Sequence, residues 1–387
     1  MVSKKLHKKI IMKNNNLYIG ILTGTSMDTI DCGIFNFDNN CCDIISFYEN
    51  EYPLKLKEKI INNIDTLRKD YSNNPLHKEL AIQYSVAINN MLNNEKINKN
   101  EIAAIGMHGQ TISHEKHNDE NISIQIGCPE TLKNETKIKV VSEFRQHDIR
   151  NGGEGAPLAP LFHDYIFKRK EIKRVIVNIG GISNISFLTH NKNTLHGFDS
   201  GPGNILIDLW TKKKYNLNYD DEGKISSSHK TSYELLEVFM DDNFFKMKPP
   251  KSTSTEYFSY NWIIEKLKLI NLDLSNGEVL ASLTKLTALS IVKNIRDYAK
   301  DCDEIYICGG GAFNKTIISE IRSETKRIFS KKIIVETTEK INFHPKKIEA
   351  GLFAWLAMSK LCNKKLDYSK ITGAKKPEII GEIFFTK

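Results

Sequence analysis

Residues 17–37 read LYIGILTGTSMDTIDCGIFNF and residues 174–188 read RVIVNIGGISNISFL. In each, a short glycine-bearing turn separates two apolar, strand-like runs. Glycine lets the backbone take left-handed φ and lets a ligand approach closely. Thr23, Thr25, Ser26, Asn178, Ser183 and Asn184 put hydroxyls and amides beside the turns. Each hairpin is suited to cradle phosphate, and a pair of them, one in each half of the chain, points to two related lobes clamping a nucleotide. A repeat this short is also what two ordinary hairpins would give.

Working outward, the 387 residues suffice for two or three domains with a well-buried core. An apolar fraction of 40% with 26% charged residues is ordinary globular usage and argues against wholesale disorder. The net charge of +8 comes from 55 basic and 47 acidic residues. No basic run is interleaved with aromatics, so a solvated lysine-rich face is preferred over nucleic-acid binding, with a modest bias toward anionic small substrates. Seven cysteines without a C-x-x-C pair speak against disulfide scaffolding and structural zinc. Residues 1–16 form a basic, Asn-rich lead without the apolar core of a secretory signal, and no run approaches membrane-spanning length. The expectation is a soluble, cytoplasmic protein with no membrane partner.

Strand-like runs occupy 17–48, a helical charged stretch covers 54–94, and a short strand at 102–106 leads into a polar loop, His108-Gly-Gln-Thr111. Further strands are expected at 122–127 and 138–141. The segment NGGEGAPLAP, 151–160, breaks regular structure and ends a first lobe of 17–150. A second lobe, 151–370, carries the hairpin at 174–188, a helix over 278–300 with Val279, Leu283 and Leu286 on one face, and a strand at 304–308. That strand runs into Gly309-Gly-Gly-Ala-Phe-Asn314 and a helix, a combination that favours anions because the first helical amides lack internal partners. A helix over 349–361 buries Trp355, and 216–228 reads as a mobile surface loop. Strands alternating with helices in both halves define an α/β protein with a mixed sheet in each lobe.

Single-motif chemistry fails: there is no G-x-x-x-x-G-K-[ST], no G-x-G-x-x-G after a strand, no G-x-S-x-G and no H-E-x-x-H. Phosphate must then be held by several separate turns. In Gly197-Phe-Asp-Ser-Gly-Pro-Gly-Asn204, Asp199 ends a strand before a glycine-rich turn. It is the candidate general base, with an Asx-turn as the alternative. His108 and Gln110 face substrate or serve the core. Arg145 and Asp148 bind a hydroxylated or acidic substrate or form a surface ion pair. Glu349 opens a helix, where a carboxylate is favoured with or without a function. Asp28 and Asp31 could hold Mg²⁺ through water, although no residue is assigned as a direct metal ligand.

The motifs TGTSMDTID (23–31), HGQT (108–111), EFRQHDIRNGGEGAPLAP (143–160), NIGGISN (178–184), FDSGPGN (198–204), GGGAFN (309–314) and EAGLFAWLA (349–357) occur in this order. Together they resemble the anhydro-N-acetylmuramic acid kinases over residues 17–375. The resemblance implies the two-lobed fold of the sugar kinase, heat-shock chaperone and actin superfamily, with an interlobe cleft and a first lobe completed by 371–387. It implies ATP and Mg²⁺ as cofactors and 1,6-anhydro-N-acetylmuramic acid as substrate, opened by water and phosphorylated on O6 in peptidoglycan recycling. Asp199 matches the family's catalytic aspartate, and Glu349 matches an active-site glutamate on the sugar.

Gly24, Thr25, Ser26, Met27, Asp28, Thr29, Ile30 and Asp31 correspond to the ATP phosphate turn. Asn178, Gly180, Gly181, Gly201, Gly203, Asn204, Gly309, Gly310, Gly311 and Asn314 correspond to the other nucleotide-side positions. His108, Gln110, Arg145 and Asp148 line the sugar pocket. A homodimer is left open. Where this sequence departs from the pattern, Thr23 replaces Ser, Thr29 replaces Gly, Glu143 replaces Asp, Glu154 replaces Gln, and 251–256 (KSTSTE) lacks a Gly-Arg pair. Thr29 is expected to shift the phosphate turn, because a β-branched residue resists φ > 0. Glu143 is expected to reach one methylene further. The alternatives are a kinase of another amino sugar and a non-catalytic ATP-binding module. The lobes are expected to join, and to hinge, at 151–160.

Overall fold

The computed structural model describes residues 17–24, 27–38, 41–117, 120–188 and 197–385. Its strands are β1 (Leu17–Thr23), β2 (Thr29–Asp38), β3 (Cys41–Glu51), β4 (Ile102–His117), β5 (Glu120–Ile126), β6 (Val140–Ser142), β7 (Arg174–Ile179), β8 (Ile182–Leu188), β9 (Gly197–Pro202), β10 (Glu304–Cys308), β11 (Ile334–Thr337) and β12 (Glu382–Phe384). Contacts divide the chain into two units. The first takes the chain up to Ile166, then Glu349–Ser369 and the segment from Gly373 onward; the second is Phe167–Ile348 with Lys370–Thr372. The lead 1–16 lies outside the described residues.

The sheet of the first unit runs β12-β6-β4-β1-β2-β3, with β5 paired to β4. β1 sits between a parallel neighbour, β4, and an antiparallel one, β2, and every one of its residues is buried. That burial explains why LYIGILT is a continuous apolar run rather than an alternating one. On one side packs the helix Pro75–Glu95, which starts where Asn74 accepts from the Leu76 amide and Pro75 has no N–H in need of an acceptor. Its Leu80, Tyr84, Ile88 and Met91 recur at helical spacing and are buried.

A second helix, Ile348–Leu361, rests on backbone. Gly33, Gly20 and Gly106 stand in register across β2, β1 and β4. A Cβ on Gly20 would lie 1.7 Å from the Ala350 carbonyl oxygen, and one on Gly106 1.9 Å from that of Phe353. The helix therefore belongs to the first unit and not to the second lobe, where the sequence reading put it. Its Trp355 is core, as expected.

The unit boundary falls at 166 rather than 150, and the expected hinge at 151–160 is stitched into the first unit. Asp148 accepts from the Gly155 amide at 2.8 Å, Lys375 N donates to Asn151 O, and Asn151 Nδ2 donates to Lys376 O. β12 pairs antiparallel with β6, completing the sheet from the far end of the sequence.

The second unit carries the sheet β11-β10-β7-β8-β9, in which β11, β10 and β7 are parallel and β7-β8-β9 is an antiparallel meander. A helix over Asn276–Tyr298 packs against it, opened by a reciprocal cap between Ser275 and Glu278. Val279, Leu283 and Leu286 are buried as their spacing predicts. The stretch 216–228 is not a plain loop: Asp220 accepts from the Ile225 and Ser226 amides and starts a helical turn, Lys224–Ser227. Among the described residues no helix is long and apolar enough to cross a membrane.

Candidate active site

In the second unit, parallel β7 and β10 end at Ile179 and Cys308, so the turns that follow lie at the carboxyl edge of the sheet, where open α/β sheets take ligands. The β7–β8 turn is locked to the start of the helix Ile205–Tyr215. Gly203 and Ile205 donate to the Gly181 carbonyl at 2.8 and 3.1 Å, and Asn204 donates to that of Gly180 at 2.8 Å. These amides therefore tie two turns together and are not free to hold phosphate. Asn314 caps the helix Lys315–Ile328 by accepting from Thr316 N and Ile317 N, and Asn178 accepts from Cys308 Sγ.

The glycines differ in what surrounds them. A Cβ at Gly309, Gly311 or Gly203 would come within 2.3 Å of Asn178 Oδ1, Ile179 Cγ2 or the Gly180 carbonyl, and one at Gly201 within 2.9 Å of the Phe245 ring, so these four pack against protein. At Gly310 the nearest atom would be Asn204 Nδ2 at 3.6 Å, and at Gly180 the Ile182 carbonyl at 3.5 Å. Of these six glycines, Gly180 and Gly310 have room for a ligand.

Asp199 lies on β9 beside Asn184 of β8 and is 6% exposed. Thr253 N donates to its Oδ2 at 3.0 Å, and its own amide donates to the Lys251 carbonyl at 3.1 Å. The segment 251–253 thus fixes this carboxylate on both its side chain and its backbone. Lys251, noticed in the sequence only as the start of a divergent stretch, is 2% exposed. The residues flanking the segment meet at Asp242, which accepts from Phe244 N, Tyr257 Oη and Trp262 Nε1 and pairs with Lys266.

In the first unit, the β1–β2 turn is closed by Met27 N donating to Gly24 O at 3.1 Å. Its positive φ, +51°, belongs to Met27; Thr29 is already in β2, opposite Glu51. The β-branched residue is therefore in extended backbone, and the expected disturbance of the turn does not arise. Ile30 is buried, Thr29 Oγ1 donates to Asp31, and Asp28 pairs with Lys57 at 3.1 Å. Thr23 Oγ1 meets Tyr84 Oη at 2.7 Å, a buried structural contact. Thr25 and Ser26 lie outside the described residues.

His108 and Gln110 are within β4, which continues to His117 instead of stopping before a loop. Arg145 Nε donates to His108 Nε2 at 2.8 Å, so Nδ1 carries the proton and donates to the Gly109 carbonyl at 3.0 Å. Burial and the Arg145 charge hold this imidazole neutral, well below the ordinary histidine range. The ring stacks on Phe353 at 4.5 Å, and Arg145 also donates to the Gly155 carbonyl. His108 thus aims Arg145, and Asp148, itself buried, holds the loop that supplies Gly155 O. Nearby, burial and Arg145 push His114 down to about 3.

Glu143 precedes the helix Phe144–Arg150 with φ +63°; burial raises its carboxyl, assisted by Glu382 and opposed by Arg150 and His77. Glu349 lies in the first turn of the helix on the glycine row. Among the described residues, the buried oxygens Gln110 Oε1, Glu154 Oε2 and Asn184 Oδ1 lack a hydrogen-bond partner, which marks places where water or ligand must satisfy them.

Two mixed sheets with their helices, and glycine turns at the strand ends, define an α/β protein of two compact units. The family model for anhydro-N-acetylmuramic acid kinase matches residues 16–386. A relative of that name from Coxiella burnetii (strain Dugway 5J108-111) is 36% identical over 371 residues, covering 95% of this chain and 97% of its own. One from Shewanella oneidensis is 36% identical over 381 residues, covering 97% and 100%, and one from Legionella pneumophila is 35% identical over 371 residues, covering 95% and 98%. This chain belongs to the anhydro-N-acetylmuramic acid kinase family. It is a kinase, with ATP as phosphoryl donor and a sugar as acceptor.

Proposed function

We propose that the chain opens 1,6-anhydro-N-acetylmuramic acid with water while transferring the γ-phosphoryl group of ATP to O6, giving N-acetylmuramic acid 6-phosphate and ADP in cell-wall recycling. The observation that carries this reading is Asp199, a buried carboxylate held by the Thr253 amide at one oxygen. Asp199 takes a proton from the water that attacks C1. The C1–O6 bond breaks, O6 bonds to the γ-phosphorus, and the bond from phosphorus to the bridging oxygen of ADP breaks. An alkoxide-like O6 is a poor leaving group in water, and bonding to phosphorus in the same event relieves it.

Arg145, aimed by His108, together with Gln110 and Glu349, binds the sugar, and Asp148 holds the Arg145 loop. The turn around Gly180, Asn204 and Gly310 receives the nucleotide, and the hairpin from Gly24 to Asp31 its phosphates. Mg²⁺ fits as an ion carried by the nucleotide. Among the described residues no three His, Cys, Asp or Glu side chains gather into a metal cluster, and the exposed Asp28 and half-buried Asp31 would hold it through water. When bound, it neutralises phosphate charge.

Turnover in labelled water tests the reaction: the product should carry one solvent oxygen at C1, read by mass spectrometry. Unlabelled product, or faster phosphorylation of an amino sugar with a free hydroxyl, would replace this reading with that of an ordinary amino-sugar kinase.

Gly310→Val tests the nucleotide turn. The added Cβ would meet only Asn204 Nδ2, at an ordinary 3.6 Å, so thermal stability should stay near wild type while ATP binding weakens by about tenfold, roughly 1.4 kcal/mol, and sugar binding does not. Equal loss of both affinities in calorimetry would assign the loop to the fold alone.

A further inference from the structure

The ammonium of Lys251 is an expensive group to bury. It is 2% exposed, and its hydrogen bond to the Phe244 carbonyl is long, 3.4 Å. Around it stand two aromatic faces, Phe244 at 4.5 Å and Phe198 at 5.8 Å from Nζ to the ring centroids. Phe198 is the residue before Asp199. The carboxylates acting on the ammonium are Asp199 from β9 and Asp297 from the helix Asn276–Tyr298. A buried cation beside hydrocarbon rings is retained at a cost, which a merely space-filling residue would not incur. The carbonyl of the same residue accepts from the Asp199 amide, and the amide two residues on holds the Asp199 carboxylate.

We infer that Lys251 is a positioning residue for Asp199: its caged ammonium pins the segment 251–253, whose carbonyl and amide hold the Asp199 backbone and carboxylate. This rests on the reading of Asp199 as the base. Burial pulls the lysine down, Asp199 and then Asp297 pull it partly back up, and the balance leaves it at about 8. A group titrating there is charged at neutral pH and loses its charge in mildly alkaline solution, and positioning should be lost with it.

The test combines kinetics with direct observation of the amine. Lys251→Met keeps the length and the apolar contacts of the stem. It is expected to lower kcat by about ten- to a hundredfold with KM for ATP within about threefold. The wild type is expected to show an alkaline limb near pH 8, and the substitution should abolish it, leaving a low, flat profile. Folding of the variant is checked by its thermal transition and ATP binding. In the full-length chain carrying carbon-13 lysine, the resonance lost in Lys251→Met identifies Lys251. Its titration should move to lower pH in Asp199→Asn, and by less in Asp297→Asn.

A folded Lys251→Met variant with wild-type kcat overturns the inference while Asp199→Asn remains inactive, which leaves the reading of Asp199 standing. An Asp199→Asn enzyme that still turns over sinks that reading and the inference with it. A Lys251 titration unchanged in Asp199→Asn overturns the coupling whatever the kinetics.

Discussion

Asp199→Asn is expected to fold, to bind ATP and sugar with near wild-type affinity, and to lose turnover by about two to four orders of magnitude. The substitution conserves shape. The Thr253 amide keeps an oxygen to donate to, and the Asp199 backbone keeps its bond to the Lys251 carbonyl, so the β9 turn has no reason to rearrange. What disappears is the only property a base needs, a lone pair basic enough to take the proton of water. An effect confined to KM would mean that Asp199 binds rather than reacts. The measurement is kcat at saturating substrates beside calorimetric affinities; activity within tenfold of wild type takes Asp199 out of the mechanism.

The second large effect is structural. Gly20→Val should destabilise the chain by about 3 kcal/mol or more, at the upper end of what overpacking costs, because its Cβ would fall 1.7 Å from a helix carbonyl that cannot step aside without breaking the helix. Gly106→Ala should behave similarly, its Cβ falling 1.9 Å from the Phe353 carbonyl. Denaturant unfolding followed by circular dichroism reads both. A midpoint unchanged from wild type would mean that the helix Ile348–Leu361 is not seated on these strands. Gly310→Val, equally a glycine-to-β-branched change, serves as the internal contrast.

The strands and their turns could be read from the sequence because apolar runs bounded by glycine are local signals, and the expected helices over 278–300 and 349–361 exist at nearly those bounds. What a local pattern cannot carry is the partner of an element. EAGLFAWLA announces a buried helix, yet only the glycines of β1 and β4, far away in sequence, decide which sheet receives it. The glycine-rich stretch 151–160 suggests a hinge by composition, but its amides and carbonyls are taken by Asp148 and by residues more than two hundred positions later.

At the candidate site the same division holds. The glycine-rich turn after Asp199 marks it locally as a candidate base or an Asx-turn residue, and only the resemblance of FDSGPGN to the family motif favours the base. Lys251 was illegible because a lysine among prolines and serines looks solvated, and its burial follows from Phe198 and Phe244 closing over it. His108 showed its polarity in the sequence but not its task, since its partner Arg145 sits on another element.

The pairing of β12 with β6, with Arg150 meeting Glu382 and His147 meeting Glu378, bears on how the chain is made. On the ribosome, residues 17–166 emerge first, yet they must wait for 349–369 and for the segment from 373 onward, while nearly the whole of the second unit has already left the exit tunnel. Until then β6 presents an unpaired edge and the glycine row of β1 and β4 stands uncovered, a surface prone to association with other nascent chains. The order of birth is thus the reverse of the order of completion: the unit begun first is finished last.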